Sequence, residues 1–237
     1  MNLPLINVFE TPYEIWKNDG SSFNQGIEPA LENRLVKSIN NHFDAAEHIL
    51  KAVMDIPLQN HIDTYLRSSK PFKTWLTQMP SRTPKPLSDY KNKYPNYNQN
   101  QVDEAINSIG VQPPEEQILF HGGLFDDFGD YPTNKPLSAS FCPQVALRNV
   151  EHFGKAYDRG QIDIFVLKVK SPSTNVFIYN PRNKLGHEKE VLFASGANLK
   201  FIKRTLVRDN YKVVKVGSNT RTLEKEVPVY VVEIEIS

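Results

Sequence analysis

The chain has 237 residues, 39% of them hydrophobic, which suits a soluble protein with one sizeable globular unit or a core carrying an added lobe. Its 28 basic and 27 acidic side chains leave a net charge of +1, so the whole-molecule field gives no reason to expect attraction to nucleic acid or membrane. Cys142 is the single cysteine, which excludes an intramolecular disulfide framework, and neither a Sec signal nor a run of about eighteen apolar residues is present, so a soluble, cytoplasmic protein is expected.

In chain order, apolar residues recur at Leu31, Leu35, Ile39, Phe43, Ala46, Ile49, Leu50 and Val53, which predicts a long helix from Glu28 to Met54, stopped by Pro57. Shorter amphipathic segments follow at Leu58, Ile62, Tyr65 and Leu66, and at Phe72, Trp75, Leu76 and Met79. The first eighty residues thus read as helical. Pro80 to Asn100, with four prolines among Ser, Lys, Asn and Tyr, reads as an irregular connection. A lobe boundary is placed there, giving a helical N-terminal lobe over 1–99 and a second unit over 100–237. Gln101 to Ile109 predicts a brief helix closed by Gly110.

After Pro114 the chain turns rich in β-branched and aromatic residues, and strands are expected at Gln117–Phe120, Ile162–Val169, Thr174–Tyr179, Val191–Ala194, Leu199–Lys203, Tyr211–Val216 and Val227–Ile236. One helix interrupts them, from Pro143 to Phe153 with Gly154 as the stop.

Three short pieces carry a readable chemistry: Phe120-His121-Gly122-Gly123 closing a strand, Ser138-Ala139-Ser140 opening another, and Glu188-Lys189-Glu190 before an apolar run. Each alone is commonplace; Glu224-Lys225-Glu226 repeats the last tripeptide without a Gly-rich approach loop and is assigned to the surface. In their order and spacing, over residues 100 to 237, the three pieces resemble the mono-ADP-ribosyltransferase toxin family.

That resemblance implies an α+β protein, an N-terminal helical lobe plus a core of two packed, mainly antiparallel sheets, with NAD as co-substrate in the cleft between them. It maps the catalytic carboxylate onto Glu190, which would stabilise positive charge as the nicotinamide–ribose bond opens, and an acceptor-facing carboxylate onto Glu188. A strand spacing of two is expected to place both on one face. Ser138 would orient Glu190, and His121, Gly122, Gly123, Ser138 and Ser140 would bind the dinucleotide. Asn180 to His187 lies where the family carries its recognition loop.

Two departures from the family pattern stand out. His121 replaces the arginine usual in the Glu-x-Glu branch, resembling instead the diphtheria-toxin and poly-ADP-ribose polymerase branch, and Ala139 replaces a hydroxyl residue. The implied function is transfer of ADP-ribose to a macromolecular acceptor, protein arginine first and nucleic acid second, by a toxin or effector with a neutralising antitoxin or immunity partner. A catalytically inactive binding module and an NAD glycohydrolase are the alternatives. The histidines show no zinc spacing, so no metal is expected. Cys142 reads as packing. A basic run including Lys200, Lys203, Arg204, Arg208, Lys212 and Lys215 reads as a sheet edge guarded against aggregation, with an anion-binding face as the alternative.

Overall fold

The computed structural model describes residues 3–19, 32–123, 130–183, 186–217 and 221–237. The chain begins with an antiparallel pair, β1 (Tyr13–Asp19) and β2 (Glu32–Ile39). This corrects the long helix expected from Glu28: only α1 (His42–Ala52) is helical, while Glu28 and Leu31 lie outside the described residues. A spacing of four keeps residues on one helix face, but four is also even, so the same residues share one strand face. The helix begins where Asn41 supplies a cap, its side chain accepting Asp44 N–H at 2.9 Å.

Two further helices fall where expected. α2 (Ile56–Ser68) is capped by Asp55, which accepts Leu58 N–H at 2.8 Å, and α3 (Lys70–Thr77) by Ser69, which accepts Phe72 N–H at 3.2 Å. The stretch read as irregular contains α4 (Lys85–Lys93), with Pro84 as its cap residue and Pro86 in its first turn, where a missing N–H leaves no bond unmade. Leu87, Tyr90 and Lys91 fall at i, i+3 and i+4, so they share one face of it. α5 (Gln99–Ile109) then ends at Gly110 as expected.

The remaining elements are β3 (Ile118–Gly123), β4 (Tyr131–Pro132), β5 (Leu137–Ser140), α6 (Pro143–Glu151), α7 (Lys155–Arg159), β6 (Ile162–Val169), β7 (Val176–Ile178), β8 (Glu190–Phe193), β9 (Asn198–Val216) and β10 (Thr222–Ile236). Among the described residues, strands β3 to β10 form one eight-stranded sheet in the order β4-β9-β10-β6-β3-β5-β8-β7, antiparallel except for β10 beside β6. The two strands expected at 199–203 and 211–216 are one, because β9 stays paired with β10 through three register shifts. Its β3 and β5 strands share a single residue pair, Phe120 with Ser140, so the sheet is jointed there into two halves. The molecule is α+β, as expected.

One buried cluster joins Leu3, Ile6, Phe9, Ile49, Ile62 and Trp75 to Phe120 and Ile164 of the sheet half containing β3, and to Phe141 just after β5. Polar ties fasten the same regions: buried Gln117 accepts from Ile6 N–H and donates to Ile6 C=O, at 3.0 and 2.9 Å. Gln144 of α6 accepts Asp55 N–H at 2.9 Å. A second cluster packs Leu87 and Tyr90 of α4 and Val102 and Ile106 of α5 against Phe177, Tyr179 and Leu192. This brings α4 to the β7–β8 end of the sheet, beside the Glu-Lys-Glu segment. Among the described residues no helix is long and apolar enough to cross a membrane.

Candidate active site

The joint in the sheet opens a crevice. Beyond Phe120 and Ser140 the β3–β5 ladder stops, and the next tie between the strands is a side chain: His121 Nδ1 lies 2.6 Å from the Ser138 carbonyl oxygen. A carbonyl can only accept, so Nδ1 carries the hydrogen and the neutral ring leaves its lone pair on Nε2. The ring is neutral over the physiological range, because burial lowers its pKa to about 4, against a smaller upward pull from the Ser138 bond. Both glycines after it are needed sterically. A Cβ on Gly122 would come within 1.8 Å of the Ala146 carbonyl oxygen on α6, and one on Gly123 would meet His121 Nε2 at 2.7 Å.

Ser138 is the shared node of the crevice. Its carbonyl takes the His121 bond, and its hydroxyl donates to Glu190 Oε1 at 2.5 Å. The register explains the second contact: Ser138 opposes Leu192 and Ser140 opposes Glu190, so Ser138 and Glu190 are diagonal neighbours on one sheet face. Short bonds of this kind are typical where the acceptor is charged.

Glu188 and Glu190 do not alternate along one strand, which corrects the expectation of a common strand face. Glu188 ends a 3-10 turn (Gly186–Glu188), Lys189 adopts a left-handed φ of 49°, and Glu190 begins β8. A left-handed lysine costs about 1–2 kcal/mol. Its surroundings hold it there: Lys189 Nζ, 1% exposed, pairs with Asp63 of α2 at 3.0 Å and donates to the His187 carbonyl at 2.8 Å. Ser140 Oγ donates to the Glu188 carbonyl at 2.6 Å, so this serine fixes the turn. Lys184 and Leu185 of the preceding loop lie outside the described residues.

The two carboxylates converge on a residue the sequence reading passed over. Lys91 Nζ, 7% exposed, lies 2.8 Å from Glu188 Oε2 and 2.9 Å from Glu190 Oε2, and 4.4 Å from the Tyr179 ring centroid. A sequence signal existed, since Lys91 shares its helix face with Leu87 and Tyr90; its partners, about a hundred residues away, carried none. Burial pushes the Glu190 carboxyl above the ordinary carboxylate range, opposed by Lys91 and Ser138 and reinforced by Glu188. The Tyr90 and Tyr179 phenols are driven up by their own burial and then by the negative charge of Glu190.

The crevice is tight. It is lined by Phe120, His121, Gly122, Ser138, Asn149 and Glu190 among others, with ≈ 10 Å³ of free space, room for about one water. A larger open groove of ≈ 660 Å³ lies over the α4–α5 connection between Asp89, Lys93, Tyr97 and Gln99. It holds none of the motif residues, which line the smaller space.

Other sequence candidates fall elsewhere. Cys142 is fully buried and burial raises its thiol pKa, so it is packing. The basic run on β9 is partly neutralised: Lys200 pairs with Glu235, Lys215 with Asp158, and Arg204 with fully buried Asp163 while stacking on Tyr230. Glu224 and Glu226 are exposed on β10.

No protein-family model matches the chain. No curated protein matches it. Among solved structures it is similar to BECa, an ADP-ribosylating toxin of C. perfringens crystallised with NADH, at 16% identity and a TM-score of 0.39, over 70% of this chain and 46% of that one. It is similar to the C2-I enzymatic component of the Clostridium botulinum C2-toxin at 12% identity and a TM-score of 0.39, over 72% and 48%. Vis, an ADP-ribosyltransferase of Vibrio splendidus crystallised with agmatine, is similar at 15% identity and a TM-score of 0.36, over 82% and 73%. The chain therefore spans about half the length of the two clostridial proteins.

Proposed function

We propose that the protein is an NAD-dependent mono-ADP-ribosyltransferase whose catalytic carboxylate is Glu190. One observation carries the reading: Ser138 joins the His-Gly motif to the Glu-x-Glu motif, taking His121 on its carbonyl and giving its hydroxyl to Glu190 at 2.5 Å. Three pieces that are commonplace apart then surround one crevice. Residues 100–237 form the catalytic core of this proposal, and residues 1–99 an adjoining lobe that reaches the site through α4.

The chain's own groups divide the work. Glu190, fixed through both oxygens and ionised, accepts a hydrogen bond from the ribose 2′-hydroxyl and stabilises the positive charge that develops at the anomeric carbon as nicotinamide departs with the bonding electrons. Such a group helps because its interaction strengthens as that charge grows. His121, holding its proton on Nδ1, presents the Nε2 lone pair to a ribose hydroxyl, and the backbone of Gly122 and Gly123 receives the carboxamide. Ser140 acts indirectly by holding the turn. Glu188, 29% exposed, takes the proton of the incoming nucleophile as the new bond to the anomeric carbon forms. A cationic guanidine suits a site bearing two carboxylates, so protein arginine is the first acceptor and nucleic acid the second. Such a protein acts as a toxin or effector in the cytoplasm of its producer or of a target cell, and a producer needs a neutralising partner. NAD is consumed as co-substrate and no metal is required.

Incubating the protein with NAD labelled in the adenine and a cell lysate tests the transfer. Label that stays on macromolecules and is removed by protease identifies a protein acceptor, and label removed by nuclease identifies a nucleic acid. Nicotinamide release without any macromolecular label would make the protein a glycohydrolase. No release and no label would leave the scaffold as a binding module.

A further inference from the structure

We propose that Lys91 is the positioning residue that keeps the catalytic carboxylate charged in a site too dry to hold it charged otherwise. The inference rests on the reading of Glu190 as the group that stabilises the reacting ribose. Two carboxylates meet where free space is ≈ 10 Å³, and Glu190 is only 5% exposed. Two like charges at such short range disfavour double ionisation, and burial adds to the penalty. Among the described residues one cation lies between them: Lys91, its side chain 7% exposed, with Nζ 2.8 Å from Glu188 and 2.9 Å from Glu190.

Among the described residues, the other groups facing Glu190 do not supply this charge. Ser138 from β5 gives a neutral hydrogen bond, Glu188 adds repulsion, and Tyr90 and Tyr179 are phenols held protonated. His121 from β3 is neutral and bound to the Ser138 carbonyl. Lys189 faces away toward Asp63. The Lys91 position is fixed by the helix: Leu87 and Tyr90 are buried on the same face of α4, the Leu87 carbonyl accepts the Tyr179 hydroxyl at 2.9 Å, and the lysine lies over that ring. Lys91 thereby couples the N-terminal region to the catalytic glutamate.

The test is a titration of Glu190 by carbon-13 NMR in the full chain, wild type beside Lys91→Met, Lys91→Gln and Lys91→Arg, together with the pH profile of nicotinamide release. Both neutral variants should raise the Glu190 midpoint and move the acid limb of kcat/KM upward by about one pH unit or more, a tenfold loss of rate at a pH on that limb. Lys91→Arg should restore both. Gln and Met serve as independent neutral replacements, so misfolding of one leaves the test intact. An unmoved Glu190 midpoint in a folded neutral variant overturns the proposal. So does faster transfer to agmatine, which would make Lys91 a plug on the acceptor seat. Absence of NAD turnover in wild type would instead count against the transferase reading, because the NMR midpoint reports the clamp without any turnover.

Discussion

The sequence Glu-Lys-Glu occurs twice, at 188–190 and at 224–226, and the two copies live in opposite environments. In the first, the lysine is buried in a left-handed turn and paired with Asp63, Glu190 is 5% exposed, and both carboxylates touch Lys91. In the second, the tripeptide runs along β10 with both glutamates exposed, and Lys225 rests 4.6 Å from the centre of the Tyr157 ring. The difference teaches that the tripeptide encodes little by itself. What sets the first copy apart is the partner set brought from α2, α4 and β5, which buries it among fixed polar groups.

Substitution of the two copies gives the sharpest contrast, and its largest effect is expected at Glu190. Glu190→Ala should lower nicotinamide release by at least about 10²–10³-fold, the usual loss on removing one stabiliser of developing charge. Its far-ultraviolet circular dichroism should stay that of wild type. Glu226→Ala should leave release unchanged, and equal losses from both would erase the distinction. Glu188→Ala should lose transfer of label to lysate while keeping some hydrolysis, which separate assays of label and free nicotinamide would read.

Next in size is Ser138→Ala. A hydrogen bond to a charged group contributes about 1.5–3 kcal/mol, so kcat should fall by about 10–100-fold. Stability should move less than turnover, since Ser138 is only partly buried.

A smaller effect separates the two lysines by stability. Lys189→Met leaves Asp63 without its cation, and because Asp63 is 24% exposed the cost should be about 1–2 kcal/mol, below the 3–5 of a fully buried pair. Lys225→Met should stay within about 0.5 kcal/mol. Urea denaturation of the two variants decides it, and equal midpoints would break the comparison.

The pH response should also divide the copies. The Glu190 pKa lies above the ordinary value, so turnover, which needs the ionised form, should fall on acidification at a pH higher than a free glutamate's. Glu226→Gln should leave that profile in place.

Much of the fold was legible where one period dominates. Ile162–Val169 reads as a strand and is one, and the amphipathic segments at Leu58, Ile62, Tyr65 and Leu66 and at Phe72, Trp75 and Leu76 read as helices and are. Residues 32–39 misled because a four-residue spacing satisfies both periods. The stretch before Asn100 reads as irregular because proline breaks a helix interior, whereas Pro84 and Pro86 stand at the cap and first turn of α4, where proline begins a helix. That error hid Lys91. The motif residues were legible as types in an order, yet their meeting depends on a sheet joint with a single residue pair, on Asp63 holding Lys189, and on a lysine 97 residues from its first carboxylate. Contacts of that range leave no local pattern.

On the proposed reading the buried copy of the tripeptide, and not the exposed one, cleaves NAD. Nicotinamide release measured side by side for wild type, Glu190→Gln and Glu226→Gln tests it most directly. Wild type and Glu226→Gln should release nicotinamide at equal rates, with Glu190→Gln near background while folded. Wild-type release from Glu190→Gln would contradict it.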